Sequence, residues 1–334
     1  MGSEPLREFD LIRWIQRETP ADGRVLIGIG DDCALVANRG PSSLITTDML
    51  VDRVHFDLRE ATPRQVGWKA MACSVSDIAA MGGRSLAAVV SCALPRGFSA
   101  DDAHELVRGL LDCAGEFDIC LVGGDLTGTD GPLVINVALL GDTGGRPPVR
   151  RSGARPGDAL LVTGALGGSL LGRHLCFRPR QAEGLILNEQ YALHAMMDIS
   201  DGLAIDLHHI LDESSVGARV WAAQVPISED ARRAAERSGR SPLDHALGDG
   251  EDYELLFTMD EASAGRLLAE RPFETPVTRI GSITETVRSA GLSPCRAFEE
   301  RPEGRTTNPR SGALLVLPDG AERPLERKGW EHTV

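Results

Sequence analysis

Short apolar or β-branched runs bounded by Gly, Pro or Asp recur along the chain. They predict strands over 25–29 (VLIGI), 43–47 (SLITT), 86–94 (LAAVVSCAL), 119–122 (ICLV) and 133–140 (LVINVALL). Between them, Thr62-Pro63 opens a helical stretch that closes at Gly82-Gly83, and Ser99 with Asp102 starts a second helix whose apolar face is Leu106, Val107, Leu110 and Ala114. The pattern repeats further on, with strands at 159–164, 218–226, 253–259 and 278–283 and helices around 202–212 and 228–238. The Gly-, Pro- and Arg-rich stretch 141–158 separates the two halves. The expected fold is therefore mixed α/β in two domains, 1–147 and 148–334, and the polar, aperiodic stretch 285–312 is expected to be a loop.

Length supports this division, since 334 residues at 42% hydrophobic are enough for two ordinary cores. No run reaches the roughly 18 apolar residues of a spanning helix, and the N-terminal MGSEPLREFD carries acids where a signal peptide carries an apolar stretch. A soluble, cytoplasmic protein without a membrane partner is expected. The seven scattered cysteines include no CxxC pair and read as reduced thiols. A formal charge of −14 argues against a nucleic-acid partner. An acidic protein that handles phosphates does so through cations, which directs attention to the carboxylates.

Five segments set carboxylates beside glycine or at strand ends: Gly30-Asp31-Asp32, Thr46-Thr47-Asp48, Ser76-Asp77, Gly123-Gly124-Asp125 and Asp198-Ile199-Ser200-Asp201-Gly202. Magnesium is held in this way, by scattered carboxylates together with substrate phosphates. Each segment also reads as an ordinary turn. Asp77 is the hardest to explain so, because Val75, Ile78, Ala79 and Ala80 surround it and a bare charge there is costly. Neither a phosphate loop nor a dinucleotide fingerprint is present. Gly164-Ala-Leu-Gly167-Gly168 offers amides to a phosphate or is a tight strand-to-helix turn, and Arg150-Arg151 is a phosphate clamp or a solvated linker pair. His208-His209, with Asp206 and Asp212, read as the polar face of a helix. No Gly-x-Ser-x-Gly elbow or activated cysteine suggests a protein nucleophile.

In collinear order, GIGDDCAL (28–35), TTDMLVDRVHF (46–56), SVSDIAAMG (74–82), LVGGDLT (121–127), RSGARPGD (151–158), MDISDGLAIDL (197–207), GEDYELLF (250–257) and KGWEH (328–332) resemble thiamine-monophosphate kinase. Its superfamily includes aminoimidazole ribonucleotide synthetase and selenophosphate synthetase. The resemblance implies an N-terminal domain whose strands build a barrel across a homodimer, followed by an α/β C-terminal domain. It further implies ATP- and magnesium-dependent phosphorylation of thiamine monophosphate to thiamine diphosphate. Several magnesium ions would be held by Asp32, Thr46, Thr47, Asp48, Asp77, Asp125, Asp198 and Asp201. Gly124, Asp125, Arg151 and Ser200 would contact ATP, and His55, Glu251 and Trp330 would line the thiamine monophosphate site. Asp249 departs from the family pattern, which has a small residue before GEDYE.

Such a transfer agrees with the residues, because moving a phosphoryl group between polyanions needs charge neutralisation and alignment more than a nucleophile. The acceptor phosphate is already ionised, in keeping with the lack of an obvious general base. Selenophosphate synthetase is the nearest rival, since Cys33 follows Gly-Asp-Asp, but Ala34-Leu35-Val36 stand where that chemistry needs a nearby Lys. A non-catalytic cation- or nucleotide-binding module is the alternative from another class.

Overall fold

The computed structural model describes residues 14–15, 17–20, 22–27, 35–36, 43–285 and 312–330. The predicted loop 285–312 falls outside these except at its two ends, as do Asp32 and most of its block. The chain forms two compact units, 1–148 with 172–185, and 149–171 with 186–334. Residues 172–185 thus return to the first unit, although a linear boundary near 147 assigns them to the second. Among the described residues no helix is long and apolar enough to cross a membrane.

The first unit contains β1 (Val25–Ile27), β2 (Leu35–Val36), β3 (Leu44–Val51), α1 (Pro63–Ala80), β4 (Arg84–Pro95), α2 (Ala100–Glu116), β5 (Cys120–Thr129) and β6 (Val134–Asp142). Four strands form a sheet in the order β3-β6-β4-β5, antiparallel except for the parallel β4–β5 pair that α2 connects. Strand β3 runs four residues beyond its predicted end because Asp48–Val51 keep pairing with Val137–Val134. Its side chains alternate: Ile45, Thr47 and Met49 are exposed, while Leu50 is buried on the side that α1 covers.

Thr62 begins α1 with a full capping box to Gln65, and Pro63 occupies the first turn. Almost every residue from Val66 to Ala80 is buried. The two helices touch backbone to backbone: a Cβ on Gly67 would lie 2.0 Å from the Leu106 carbonyl oxygen, and one on Gly109 would lie 1.9 Å from that of Arg64. The returning segment is tied in by Trp68 Nε1, which donates to the Phe177 carbonyl (2.8 Å), and by the Ser85 amide, which donates to Gln181 Oε1 (2.7 Å).

In the second unit follow β7 (Ala159–Thr163), β8 (Leu193–Asp198), α4 (Leu203–Ser214), β9 (Gly217–Trp221), α5 (Glu229–Ser238), α6 (Pro242–Gly248), β10 (Leu255–Met259), α7 (Glu261–Glu270), β11 (Val277–Thr284), β12 (Gly312–Val316) and β13 (Glu322–Pro324), with α3 (Gln181–Gln190) spanning the change of unit. The seven-stranded sheet has the order β13-β12-β9-β11-β7-β10-β8. Central β7 and β10 are buried at every position. Leu160 and Val162 join Leu203, Leu207, Ile210 and Leu211 of α4 in one core. Strand β9 stops at Trp221, short of the expected 226, where a 3₁₀ turn over Ala222–Gln224 takes over. The predicted 141–158 linker contains the change of unit at 148/149 and no helix or strand after β6 ends at Asp142, and it is pinned where the Met196 amide donates to the Arg150 carbonyl (3.0 Å).

Because the α1–α2 contact leaves no room for a methyl group, Gly67→Ala is expected to destabilise the protein by about 1–3 kcal/mol, the usual cost of overpacking. Gly115→Ala, in open space on α2, should not. Urea unfolding of the two variants beside the parent checks this.

Candidate functional site

In the first unit, β3 and α1 bring Thr46, Asp48, Ser74 and Asp77 together. Thr46 Oγ1 donates to Asp77 Oδ2 (2.5 Å), and Ser74 Oγ donates to Asp48 Oδ2 (2.8 Å). Burial, reinforced by the neighbouring Asp77 charge, pushes the Asp48 carboxyl up to about 6. No ion pair to a described cation compensates Asp48. Two adjoining carboxylates with hydroxyl neighbours form a donor set that suits a hard divalent cation.

Thr47 is placed differently. Strand alternation sends its side chain to the exposed face, where its Oγ1 accepts a hydrogen bond from Asn136 Nδ2 (2.8 Å), so its hydroxyl is turned away from the Asp48–Asp77 pair. Gly124 and Asp125 lie on β5, at the other edge of the sheet from β3 and three strand spacings away, roughly 14 Å. Asp125 is exposed and one copy of the sheet does not bring it to Asp48. Gly124 has a packing reason of its own, because a Cβ there would lie 1.9 Å from the Val90 carbonyl oxygen. His55 is half-buried in the turn after β3, with Nδ1 accepting the Val51 amide (3.0 Å) and its carbonyl accepting buried Lys69 Nζ (2.6 Å). A neutral His55 therefore carries its proton on Nε2.

In the second unit, Asp198 closes β8 and is buried, and the turn that follows is stitched to the 250–254 segment through backbone bonds. The Glu251 amide donates to the Ser200 carbonyl (2.6 Å), the Tyr253 amide to that of Ile199 (2.7 Å), and the Ile199 amide to that of Glu254 (2.8 Å). Gly250, Glu251 and Tyr253 adopt φ of 73°, 59° and 51°, and for the last two this is an unusual, strained backbone. The C-terminal tail joins here: the Trp330 amide donates to the Asp201 carbonyl (2.9 Å), and Gly329 fits where a Cβ would lie 2.5 Å from that oxygen. Ser200, Asp201, Glu251 and Trp330 are thus gathered at one turn, with the indole half exposed. Arg151 is held nearby: its carbonyl accepts Ser214 Oγ (3.2 Å), and its charge helps to depress the His209 pKa, after burial.

Several residues to which the sequence assigned no part in the site shape it. Asp206, in the first turn of α4, accepts the amides of Asp201 (3.1 Å) and Gly202 (3.0 Å) through Oδ2. Asp252 accepts the Gly167 amide and Asp249 the Gly168 amide, so those glycines form a tight turn and not a phosphate cradle. His208 and His209 are not a solvated polar face, for His208 is buried with Nδ1 2.6 Å from the Ala204 carbonyl oxygen, and Asp206 is buried too. The signal for Asp206 was available as an acid at helix position N4, after a Ser-Asp-Gly turn.

The family model for the AIR synthase related protein, N-terminal domain, matches residues 30–143, and that for the C-terminal domain matches 168–291. The chain is 40% identical over 284 residues to a thiamine-monophosphate kinase of Rhodopirellula baltica, covering 83% of this chain and 89% of that one. It belongs to the thiamine-monophosphate kinase family. Solved members resemble this fold closely. The thiamine-monophosphate kinase from Stenotrophomonas maltophilia has a TM-score of 0.70 at 35% identity, covering 84% of this chain and 95% of that one. AaThiL complexed with AMPPCP and TMP has a TM-score of 0.70 at 30% identity, covering 99% and 100%. In this family member the two acidic clusters belong to separate units, one on β3 and α1 and the other on the β8–α4 turn.

The raised Asp48 carboxyl binds protons in the folded protein that the unfolded chain has released by about pH 4. Stability is therefore expected to fall as pH rises from about 4 to about 6 in the absence of divalent ions. Asp48→Asn, which keeps an acceptor for Ser74, should flatten that part of the profile and raise the melting temperature at pH 7.5 in EDTA, as differential scanning calorimetry would show.

Proposed function

We propose that this chain transfers the γ-phosphoryl group of ATP to the phosphate of thiamine monophosphate, giving thiamine diphosphate. The observation that carries this reading is the backbone union of Ser200, Asp201, Glu251 and Trp330 at one turn, which brings two acidic residues and an exposed tryptophan to one place in the chain. Thiamine carries a cationic thiazolium and an aromatic pyrimidine, and an indole face attracts both, at about 0.5–2 kcal/mol. Family membership and the ligands of AaThiL support the same pair of substrates.

Magnesium fits the donor sets. Asp48 and Asp77, with Thr46, offer oxygen ligands, and Asp198, Asp201 and Asp125 add more, with Asp32 placed in the set by its motif. When bound, magnesium supplies charge neutralisation and alignment of the phosphates. The chain's own parts are simpler. Arg151 provides a planar donor fork for phosphate oxygens, and the Ser200 turn and Gly124 approach the nucleotide. His55, with its proton on Nε2, donates toward the thiamine monophosphate phosphate, and Glu251 faces the thiamine end. With no protein nucleophile assigned, the acceptor oxygen attacks directly, so a chiral γ-phosphate should emerge inverted.

A homodimer completes the reading. Ile45 and Met49 are 80% and 58% exposed on the sheet face away from α1, and Val89 lies exposed on β4. An open sheet with an apolar face is a pairing surface. Closing β3 of one copy against β5 of a second would also carry Gly124 and Asp125 of that copy toward Asp48.

Incubation with ATP, magnesium and thiamine monophosphate is expected to yield thiamine diphosphate, and failure to form it removes the proposal. Asp77→Asn should abolish turnover with the fold intact by circular dichroism. Trp330→Ala should raise the KM for thiamine monophosphate several-fold while that for ATP barely moves, and Trp330→Phe should retain much of the affinity. If both KM values rise together, the tail is a structural anchor. Ile45→Asp with Met49→Asp should sediment as a monomer where the parent sediments as a dimer.

A further inference from the structure

The β8–α4 turn carries more donors than the kinase reading uses. Asp201 stands just before α4, Asp206 lies in its first turn, and His209 lies one turn further on the same face. Helix side chains lean toward the N-terminus, so the last two reach back to the first. One donor atom from each of the three lies within 4.8 Å of the others. A first-row divalent ion with bonds of about 2.1 Å sets its donors roughly 3 to 4.2 Å apart, so a small contraction closes the set.

Asp206 supplies the independent indication. Its residue is 1% exposed, and while Oδ2 accepts two amides, Oδ1 is buried with no hydrogen-bond partner. An anionic oxygen in that position is costly unless a cation meets it. The described cations nearby are engaged elsewhere or face other groups: Arg327 pairs with Asp212 (2.7 Å), and Arg151 acts on His209. Asp198 and Asp201 add negative charge around Asp206. His208 does not compete, being turned onto the Ala204 carbonyl.

We propose that Asp201, Asp206 and His209 form a divalent-cation site with one nitrogen donor, which selects manganese-class ions over magnesium. Imidazole beside carboxylates suits Mn²⁺, Co²⁺ or Zn²⁺, whereas magnesium prefers oxygen donors throughout. The kinase reading gives Asp206 and His209 no part, and this site shares only Asp201 with it. Turnover with magnesium alone tests that reading separately, whatever the result here.

The test is Mn²⁺ binding to the full-length, nucleotide-free protein in a large excess of magnesium, followed by electron paramagnetic resonance. Retention of one Mn²⁺ per chain is expected, with pulsed spectra showing ¹⁴N coupling from a directly bound imidazole. His209→Gln should weaken Mn²⁺ binding by about tenfold or more and erase the nitrogen coupling, while its melting temperature in EDTA matches the parent. Asp206→Asn should also weaken binding, and if loss of its amide contacts unfolds the turn, His209→Gln decides alone. Mn²⁺ bound through oxygen only, or bound equally well by His209→Gln, overturns the proposal. So does a folded Asp206→Asn that binds as tightly as the parent, which would show that the buried oxygen is met by a proton.

Discussion

The second acidic cluster depends on three backbone hydrogen bonds between Ile199–Ser200 and Glu251–Glu254. They hold the turn after β8 against the segment before β10, and they are made only because Glu251 and Tyr253 accept left-handed backbone that side chains disfavour. Such strain persists where the surroundings over-determine it. Here the surroundings are the buried acids of the same segment: Asp252 fixes the Gly167 amide, and Glu254 Oε2 accepts Thr163 Oγ1 (2.7 Å). One short stretch therefore couples a strained loop, a glycine turn and the start of β10.

The first cluster rests on a different device, a strand laid across a helix. β3 presents Thr46 and Asp48 inward at alternate positions, and α1 presents Ser74 and Asp77 one turn apart. The glycine contact between α1 and α2 sets how closely the helices pack. Asp48 and Asp77 are held together at an electrostatic cost.

Much of this was legible in the sequence. Short apolar or β-branched runs bounded by Gly, Pro or Asp gave most strands, Thr62-Pro63 gave the start of α1, and eight collinear motifs gave the family. Asp77 stood out because a charge among Val75, Ile78 and Ala79 has no local excuse. Strand β8 was passed over because LHAMMD lacks β-branched residues and gains its strand character from pairing with β10. The Thr47 hydroxyl could not be assigned to a face until the register of β3 was known, since a shift of one residue exchanges Thr46 and Thr47. Asp206 and His209 were hidden because their meaning lies in the preceding turn folding back over the helix, which spacing alone does not reveal.

The return of residues 172–185 to the first unit has a consequence for how the protein is made. Trp68 and Ser85 find their hydrogen-bond partners, Phe177 and Gln181, only after the chain has already begun the second unit. At about 5–20 residues per second, a ribosome leaves the N-terminal sheet and helices unfinished for some seconds after their last strand has been synthesised. For that interval the edge strands and the apolar sheet face are presented to the cell with no completed unit behind them. A gene fragment ending at residue 148 would make that vulnerable interval permanent.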